Sequence, residues 1–155
     1  MLWVRRAIRY AVPPILVAGA IFWLSSLSAS DVEETGQAGI LGPYGGEIVH
    51  GIEYLALSAL LMRALVAWRP TGAAPGPGPR LARLGAVAIA ISALYGVSDE
   101  WHQTFVPGRA AEAKDVLIDF AGALVGSAAY AALYLIWRRA RIPAQAARSP
   151  GETAR

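Results

Sequence analysis

The sequence predicts an all-α membrane protein, a bundle of four transmembrane helices with both termini in the cytoplasm. Two features of its composition favour lipid over water: 55% of the residues are hydrophobic and only 16% are charged, whereas soluble domains carry roughly 25% charged residues. A third observation is that long segments contain no Asp, Glu, Lys or Arg, at residues 10–30, 84–98 and 120–137. A helix needs about 20 mostly apolar residues to cross a bilayer, so these segments mark membrane-crossing elements.

Four spans are predicted from this pattern: Ile8–Leu27, Ile48–Trp68, Leu81–Ser98 and Val116–Trp137. The first span follows three arginines and ends among small serines, which is also the pattern of a cleaved signal peptide. Its apolar run is longer than the usual core of a signal peptide, so we favour a retained anchor. The second span contains His50, Glu53 and Arg63, and we expect the arginine to reach the membrane interface along its aliphatic stem.

The distribution of positive charge predicts the orientation. Every Lys and Arg except Arg109 and Lys114 lies before or at the start of the first span, near the connection between the second and third spans, or after the fourth. Cytoplasmic segments are rich in Lys and Arg, which predicts a multi-pass protein of the cytoplasmic (inner) membrane with cytoplasmic termini. The pI near 9.6 then reflects topology, and no nucleic-acid partner is predicted.

Domain organisation is simple at this length. Residues 1–140 are predicted to form one four-helix transmembrane domain, followed by a flexible basic cytoplasmic tail at residues 141–155. The chain has no cysteine, which excludes disulfides, thiol chemistry and cysteine metal sites.

Polar residues recur at helical spacing at the predicted outer ends of the second and third spans. In the second span, three side chains share one helix side because they are three or four residues apart: His50, Glu53 and Tyr54. In the third span, a stripe at i, i+3, i+4 and i+7 would share one face if the helix continues far enough: Tyr95, Ser98, Asp99 and His102.

The fourth span carries Asp115, Asp119, Gly122 and Gly126 at i, i+4, i+7 and i+11. Paired small residues mark a face that another helix approaches closely, so the two aspartates are expected to point into the bundle. Three helices are therefore predicted to direct acids and histidines toward one shared volume at the outer end. A purely structural role is the alternative at this point, since such ionisable groups also pair with one another and hold helices together.

The connection after the third span contains Val106-Pro107-Gly108-Arg109. Proline at the second position and glycine at the third predict a type II turn, because proline fixes φ and glycine accepts a positive φ. The chain should reverse there, which would return Arg109 toward the acids as their counter-ion.

Two segments resemble the motifs of VanZ-like membrane proteins: HGIEYLALSALLMRAL at residues 50–65 and YGVSDEWHQTFVPGRAAEAKDVLIDFAGALVGS at residues 95–127. The resemblance places the polar family signature on His50, Glu53, Asp99, Glu100, His102, Gln103, Arg109, Asp115 and Asp119. Glu47 is a departure, because many members have a lysine there. The family takes its name from an accessory factor in glycopeptide (teicoplanin) resistance, which implies a role in the cell envelope and an antibiotic-resistance context.

Three function classes are compatible with these residues, and the sequence decides neither the cofactor nor whether a reaction occurs. We favour binding or modification of an amphiphilic, lipid-linked or glycopeptide-related envelope molecule, with the bilayer as the other partner. In that hypothesis Arg109 clamps a carboxylate or phosphate, the remaining ligand-binding residues are His50, Glu53, Gln103, Asp115 and Asp119, and the catalytic candidates are Asp99, Glu100 and His102.

The first alternative is a metal-dependent intramembrane hydrolase. Histidine with carboxylate suits zinc, and the proposed ligands would be His50, Glu53, Asp99 and His102. The sequence lacks an H-E-x-x-H signature, which makes this alternative less specific. The further alternative is a noncatalytic membrane interaction protein whose polar residues only stabilise the bundle.

Overall fold

The computed structural model describes residues 2–34, 44–68 and 76–146, and every regular element within these ranges is helical. In chain order the helices are α1 Leu2–Tyr10, α2 Val12–Ser25, α3 Ala29–Glu34, α4 Gly45–Ala67, α5 Pro79–Gln103 and α6 Ala113–Ala146. The last helix continues into the segment predicted as a flexible tail, whose residues 147–155 lie outside the described ranges.

Four helical stretches are long and apolar enough to cross a membrane: Trp3–Ser25, Gly45–Ala67, Pro79–Gln103 and Ala113–Arg141. The predicted all-α fold with four membrane-length helices is confirmed, and the chain is a multi-pass membrane protein. Large apolar side chains cover the outside of the bundle, such as Ile15, Leu94 and Leu133, which are 66%, 72% and 66% exposed. Lipid tails suit such a surface, whereas water would leave an extensive apolar patch exposed.

The first span consists of two helices because prolines interrupt its hydrogen bonds. Pro13 has no N–H to donate to the carbonyl of Arg9 four residues earlier, and the helix breaks at Ala11. Arg63 of α4 donates to that Arg9 carbonyl at 3.1 Å, and its guanidinium lies 4.9 Å from the centre of the Tyr10 ring. Arg63 of the second span is therefore hydrogen-bonded to the backbone of the first span.

Helices α4 and α6 make the closest packing in the bundle. A Cβ atom added at Gly122 would collide with the backbone carbonyl of Gly51, and one added at Gly126 would collide with the carbonyl of Leu55. The two helices can approach this closely only because both positions lack a side chain. The predicted packing role of the Gly122 and Gly126 pair is confirmed.

Helix α5 continues five residues beyond the predicted end of the third span, to Gln103. The polar residues Asp99, Glu100 and Gln103 are buried in this extension. Polar side chains continue a helix in an apolar setting when they hydrogen-bond within the bundle, and their partners are described below. The hydrophobicity pattern could not show this, because it ends where the polar residues begin.

The predicted turn after α5 is confirmed. Gly108 has φ of 75°, a value that favours glycine, and the N–H of Arg109 donates to the carbonyl of Val106 at 3.1 Å. The turn lies against the start of α3, because the N–H of Ala29 donates to the carbonyl of Pro107 at 3.4 Å. The segment after the first span is thereby joined to the Pro-Gly turn.

A capping box starts α3 at this contact. The Ser28 hydroxyl accepts from the N–H of Asp31 at 3.2 Å, and the Asp31 carboxylate accepts from the N–H of Ser28 at 2.9 Å, which satisfies two free backbone donors. The Ser28 hydroxyl also donates to this carboxylate at 2.6 Å. Hydrogen bonds from the hydroxyl and the N–H of Ser28 lower the pKa of Asp31.

Candidate functional site

Buried polar side chains gather at one end of the bundle, where α2 and α5 end and α4 and α6 begin. This end is termed the polar end, and the opposite end, which contains Arg6, Arg9 and Arg63, is termed the arginine end. The buried polar cluster at the polar end consists of His50, Asp99, Glu100, Gln103 and Asp119. All five positions were predicted from sequence as site residues, and the three longest helices supply them.

His50 of α4 and Asp119 of α6 form the centre of the polar cluster. The Nδ1 atom of His50 lies 3.0 Å from Oδ1 of Asp119, and the aspartate is completely buried. A Cβ atom added at Gly96 of α5 would lie 2.8 Å from Oδ2 of Asp119, so a glycine makes room for this carboxylate. The Oδ2 atom has no hydrogen-bond partner among the described residues.

Glu100 connects the cluster to the loop before α6. One of its carboxylate oxygens accepts from the backbone N–H of Glu112 at 2.8 Å, and the other accepts from the Gln103 side chain at 3.3 Å. Glu100 also lies beside the central pair: Glu100, His50 and Asp119 each offer one metal-ligating atom, all within 4.8 Å of one another. The carboxylate of Glu100 therefore connects the loop before α6 to the buried cluster.

Asp99 brings the first span into the cluster. Its Oδ1 accepts from the Ser25 hydroxyl at 2.6 Å, and its Oδ2 accepts from Gln103 at 3.3 Å. Ser25 is buried at the end of α2 and was not predicted as a site residue. The signal available was weak, because a serine at the end of an apolar span is common at a membrane interface.

His102 lies on a different side of α5 from Glu100. Its Nε2 atom is 3.0 Å from the Ser26 hydroxyl, and its ring stacks on Phe22 with centroids 4.5 Å apart. Both contacts of His102 are therefore with the first span, and its convergence with His50 stays a prediction. Residues 99 and 102 lie on the α5 face toward α2, whereas the face through Gly96, Glu100 and Gln103 turns toward α4 and α6.

A cavity of about 380 Å³ opens beside His102, between the ends of α2 and α5. Its lining is mostly aromatic and includes the whole stripe predicted on the third span: Phe22, Tyr95, Ser98, Asp99, Trp101, His102 and Phe105. Asp99 belongs both to this lining and to the polar cluster. The cavity therefore adjoins the buried polar groups.

The other predicted site residues surround the cluster at half-buried positions. One Glu53 oxygen is buried without a hydrogen-bond partner, and the charge of Arg109 acts on this carboxylate. The charge of Asp115 acts on His50 and Glu100. Among the described residues, the guanidinium of Arg109 forms no direct ion pair with an acid, so the predicted counter-ion contact is absent.

A family model for VanZ/LLP1 matches residues 10–138, which include both motifs and every residue of the polar cluster. The chain belongs to the VanZ/LLP1 family. No curated protein matches it significantly, and neither does any solved structure. The resemblance predicted from the two motifs is confirmed.

Glu47 of this VanZ/LLP1 protein, noted above as a departure from the motif, has a basic partner. Here Lys114 of α6 supplies a cation at this place, with its Nζ atom 2.9 Å from Glu47 and 3.5 Å from Glu112. The ion pair is largely exposed, so its contribution to stability is small. A positive charge still lies at the polar end, but it comes from another helix.

The zinc ligands predicted for the hydrolase alternative differ from the group of possible ligands in this VanZ/LLP1 protein. Within the described ranges, the one group of His, Asp and Glu residues close enough to hold a metal is His50, Glu100 and Asp119. It shares only His50 with the predicted set. Asp99 and His102 have Ser25 and Ser26 of the first span as hydrogen-bond partners, and the four-ligand site stays a prediction.

Proposed function

We propose that this protein binds an amphiphilic molecule of the cell envelope, with the head group at the polar cluster and an apolar portion in the adjoining cavity. One observation carries the proposal: Asp99 belongs to the polar cluster and also lines the cavity of about 380 Å³. A polar site continuous with an aromatic cavity fits a molecule that has both a polar and an apolar part. The aromatic rings would contact the apolar part of the ligand.

In this proposal the protein lies in the cytoplasmic membrane with the polar end outside. The arginine end supports that orientation, because cytoplasmic ends of spans are rich in Lys and Arg. Arg6 donates to the carbonyl of Ala67 at the end of α4, and Arg63 donates to Arg9. These cations contact the bundle itself, which supports the assignment of this end to the cytoplasmic side.

Arg109 is the residue proposed to recognise the head group. Arg109 is half-buried, and its charge acts on Glu53. Its guanidinium forms no direct ion pair with any acid among the described residues. A planar guanidinium binds carboxylate or phosphate through two parallel hydrogen bonds. The Pro-Gly turn orders the backbone of Arg109, whose N–H donates to the carbonyl of Val106 at 3.1 Å.

The polar cluster would orient the bound head group. Asp99, Glu100 and His102 are the candidates for proton transfer in a modification reaction, because acids and imidazole exchange protons near neutral pH. The family name supports an envelope role in the context of glycopeptide resistance. We therefore expect cells that lack the protein to change in their susceptibility to teicoplanin.

Native mass spectrometry of the detergent-purified protein tests the proposal. We expect a co-purifying lipid-linked species on the wild type, and its loss from both Arg109→Ala and Arg109→Lys, because lysine keeps the charge but lacks the planar fork. Arg83→Ala is the matched control, since Arg83 is an exposed residue near the opposite end of α5, and it should keep the ligand.

Stability separates recognition from a purely structural role. If Arg109 recognises the ligand, both variants should keep the thermal stability of the ligand-free wild type. If Arg109→Ala destabilises the protein and Arg109→Lys restores both stability and the bound species, the cluster only holds the helices together. Retention of the species by both variants would also contradict the proposal.

A further inference from the structure

We propose that His50, Glu100 and Asp119 form a binding site for one divalent cation of the zinc type. Each residue offers one ligating atom, and the three atoms lie within 4.8 Å of one another. All three side chains are buried, with relative exposures of 8%, 4% and 0%. They come from α4, α5 and α6, so a cation would join the three helices.

The central aspartate provides independent support for a ligand. Asp119 is completely buried, and its Oδ2 atom has no hydrogen-bond partner among the described residues. A buried carboxylate oxygen without a donor is unfavourable, because burial removes the hydrogen bonds that water would supply. A cation or a bound water would satisfy this oxygen, and the cation would also neutralise the carboxylate.

The charge balance at the polar end favours the cation. Asp99, Glu100 and Asp119 are buried acids, and His50 is the one basic side chain in direct contact with any of them among the described residues. Negative charges in a medium of low dielectric repel one another strongly. A divalent cation between Glu100 and Asp119 would compensate both charges and leave His50 neutral, which is the form of imidazole that binds metal.

The donor set determines which cation fits. One imidazole nitrogen and two carboxylate oxygens suit zinc, whereas magnesium prefers six oxygen ligands in an octahedron. Zinc binds nitrogen and oxygen at about 2.0–2.2 Å, so two of its ligating atoms lie at most about 4.4 Å apart. Binding would therefore draw the three atoms slightly closer than the present limit of 4.8 Å. Three protein ligands also leave a coordination position open for water or a head group.

The surroundings of Glu100 are those of an oriented metal ligand. The Glu112 N–H donates to one of its oxygens at 2.8 Å, and Gln103 donates to the other at 3.3 Å. Hydrogen bonds of this kind fix the direction of a ligating carboxylate and influence metal affinity. Each oxygen keeps a further lone pair for the cation.

Isothermal titration of the chelator-treated, detergent-purified protein with zinc chloride tests the inference. We expect one saturable site per chain, with weaker binding of manganese and no saturation by magnesium at the same concentrations. His50→Gln and Glu100→Gln should each weaken zinc binding at least about tenfold, because loss of even a residue that only orients a ligand costs about 10–100-fold. The matched control is His102→Gln, because His102 lies outside the group, and it should bind zinc as the wild type does.

Pulsed EPR of the manganese-loaded protein tests directly whether a histidine nitrogen binds the ion. The measurement also applies to variants whose stability is reduced. We expect a ¹⁴N coupling in the wild type and in His102→Gln, and its absence in monodisperse His50→Gln. No saturable zinc site in the wild type, or a nitrogen coupling that disappears only in His102→Gln, would overturn the inference. The proposed function has a separate test, because a lipid-linked species that co-purifies with metal-free protein would support it even if zinc does not bind.

Discussion

Replacing Ser25 by alanine removes the contact that joins the first span to the polar cluster. The Ser25 hydroxyl donates to Oδ1 of Asp99 at 2.6 Å, and Asp99 is only 3% exposed. Hydrogen bonds between membrane helices contribute about 0.6 kcal/mol on average and up to about 1.7 kcal/mol. A buried acceptor that loses its donor costs about 1–3 kcal/mol. We therefore expect Ser25→Ala to lower the free energy of unfolding by about 1–1.7 kcal/mol, the interval that these two ranges share.

Unfolding in mixed micelles titrated with sodium dodecyl sulfate, followed by tryptophan fluorescence, measures this change. Ser25→Thr keeps a hydroxyl and should restore most of the stability. Ser26→Ala is the matched control, because its hydroxyl contacts His102 at an exposed position and should contribute less than about 0.5 kcal/mol.

A Ser25→Ala variant as stable as the wild type would refute the reasoning, and so would an equal loss in Ser26→Ala. The same measurement bears on the signal-peptide alternative for the first span. If a peptidase removed this span, the mature chain would lack residue 25, and the substitution could not change its stability.

Three further outcomes are expected. Gly126→Val should lower the free energy of unfolding by about 1–3 kcal/mol through overpacking. Gly19→Val is the control and should change it little, because a Cβ there meets no atom within 4 Å. Equal stability of the two variants in detergent would contradict the packing account. Arg63→Met should lose about 1 kcal/mol, because the Arg9 carbonyl loses its donor, and an unchanged unfolding midpoint would count against that role. A reporter enzyme that is active only in the cytoplasm should be active when it is fused after Arg155. Activity of a reporter that works only outside the cytoplasm would contradict the proposed orientation.

Much of the fold could be predicted because local chemistry determines it. The turn at Gly108 follows from a proline and a glycine at fixed positions, and the close approach of α6 follows from the spacing of Gly122 and Gly126. Each of these features is determined by a few neighbouring residues and depends little on the rest of the chain. The spans were predictable for the same reason, since length and hydropathy determine which segments cross a membrane.

The division of the polar residues between two faces of α5 could not be predicted in the same way. Asp99 and Glu100 are adjacent in sequence, so they point about 100° apart on a helix, and the sequence pattern did not determine which neighbour each would meet. Ser25 illustrates the difficulty, because its role depends on a partner 74 residues away. One signal was available on the buried face, where Gly85, Ala88, Ser92 and Gly96 form a stripe of small residues that leads to Gln103.

The central claim is that the cavity beside the polar cluster holds an amphiphilic envelope molecule, and photo-crosslinking in living cells tests it most directly. A benzoylphenylalanine would replace Phe22, which lines the cavity, or Phe120, an exposed residue of α6 outside that lining. After illumination, mass spectrometry of the purified protein identifies the covalent adducts. The account predicts a lipid-linked envelope species attached at residue 22 and only bulk phospholipid at residue 120. The same adducts in the same proportions at both positions would contradict it.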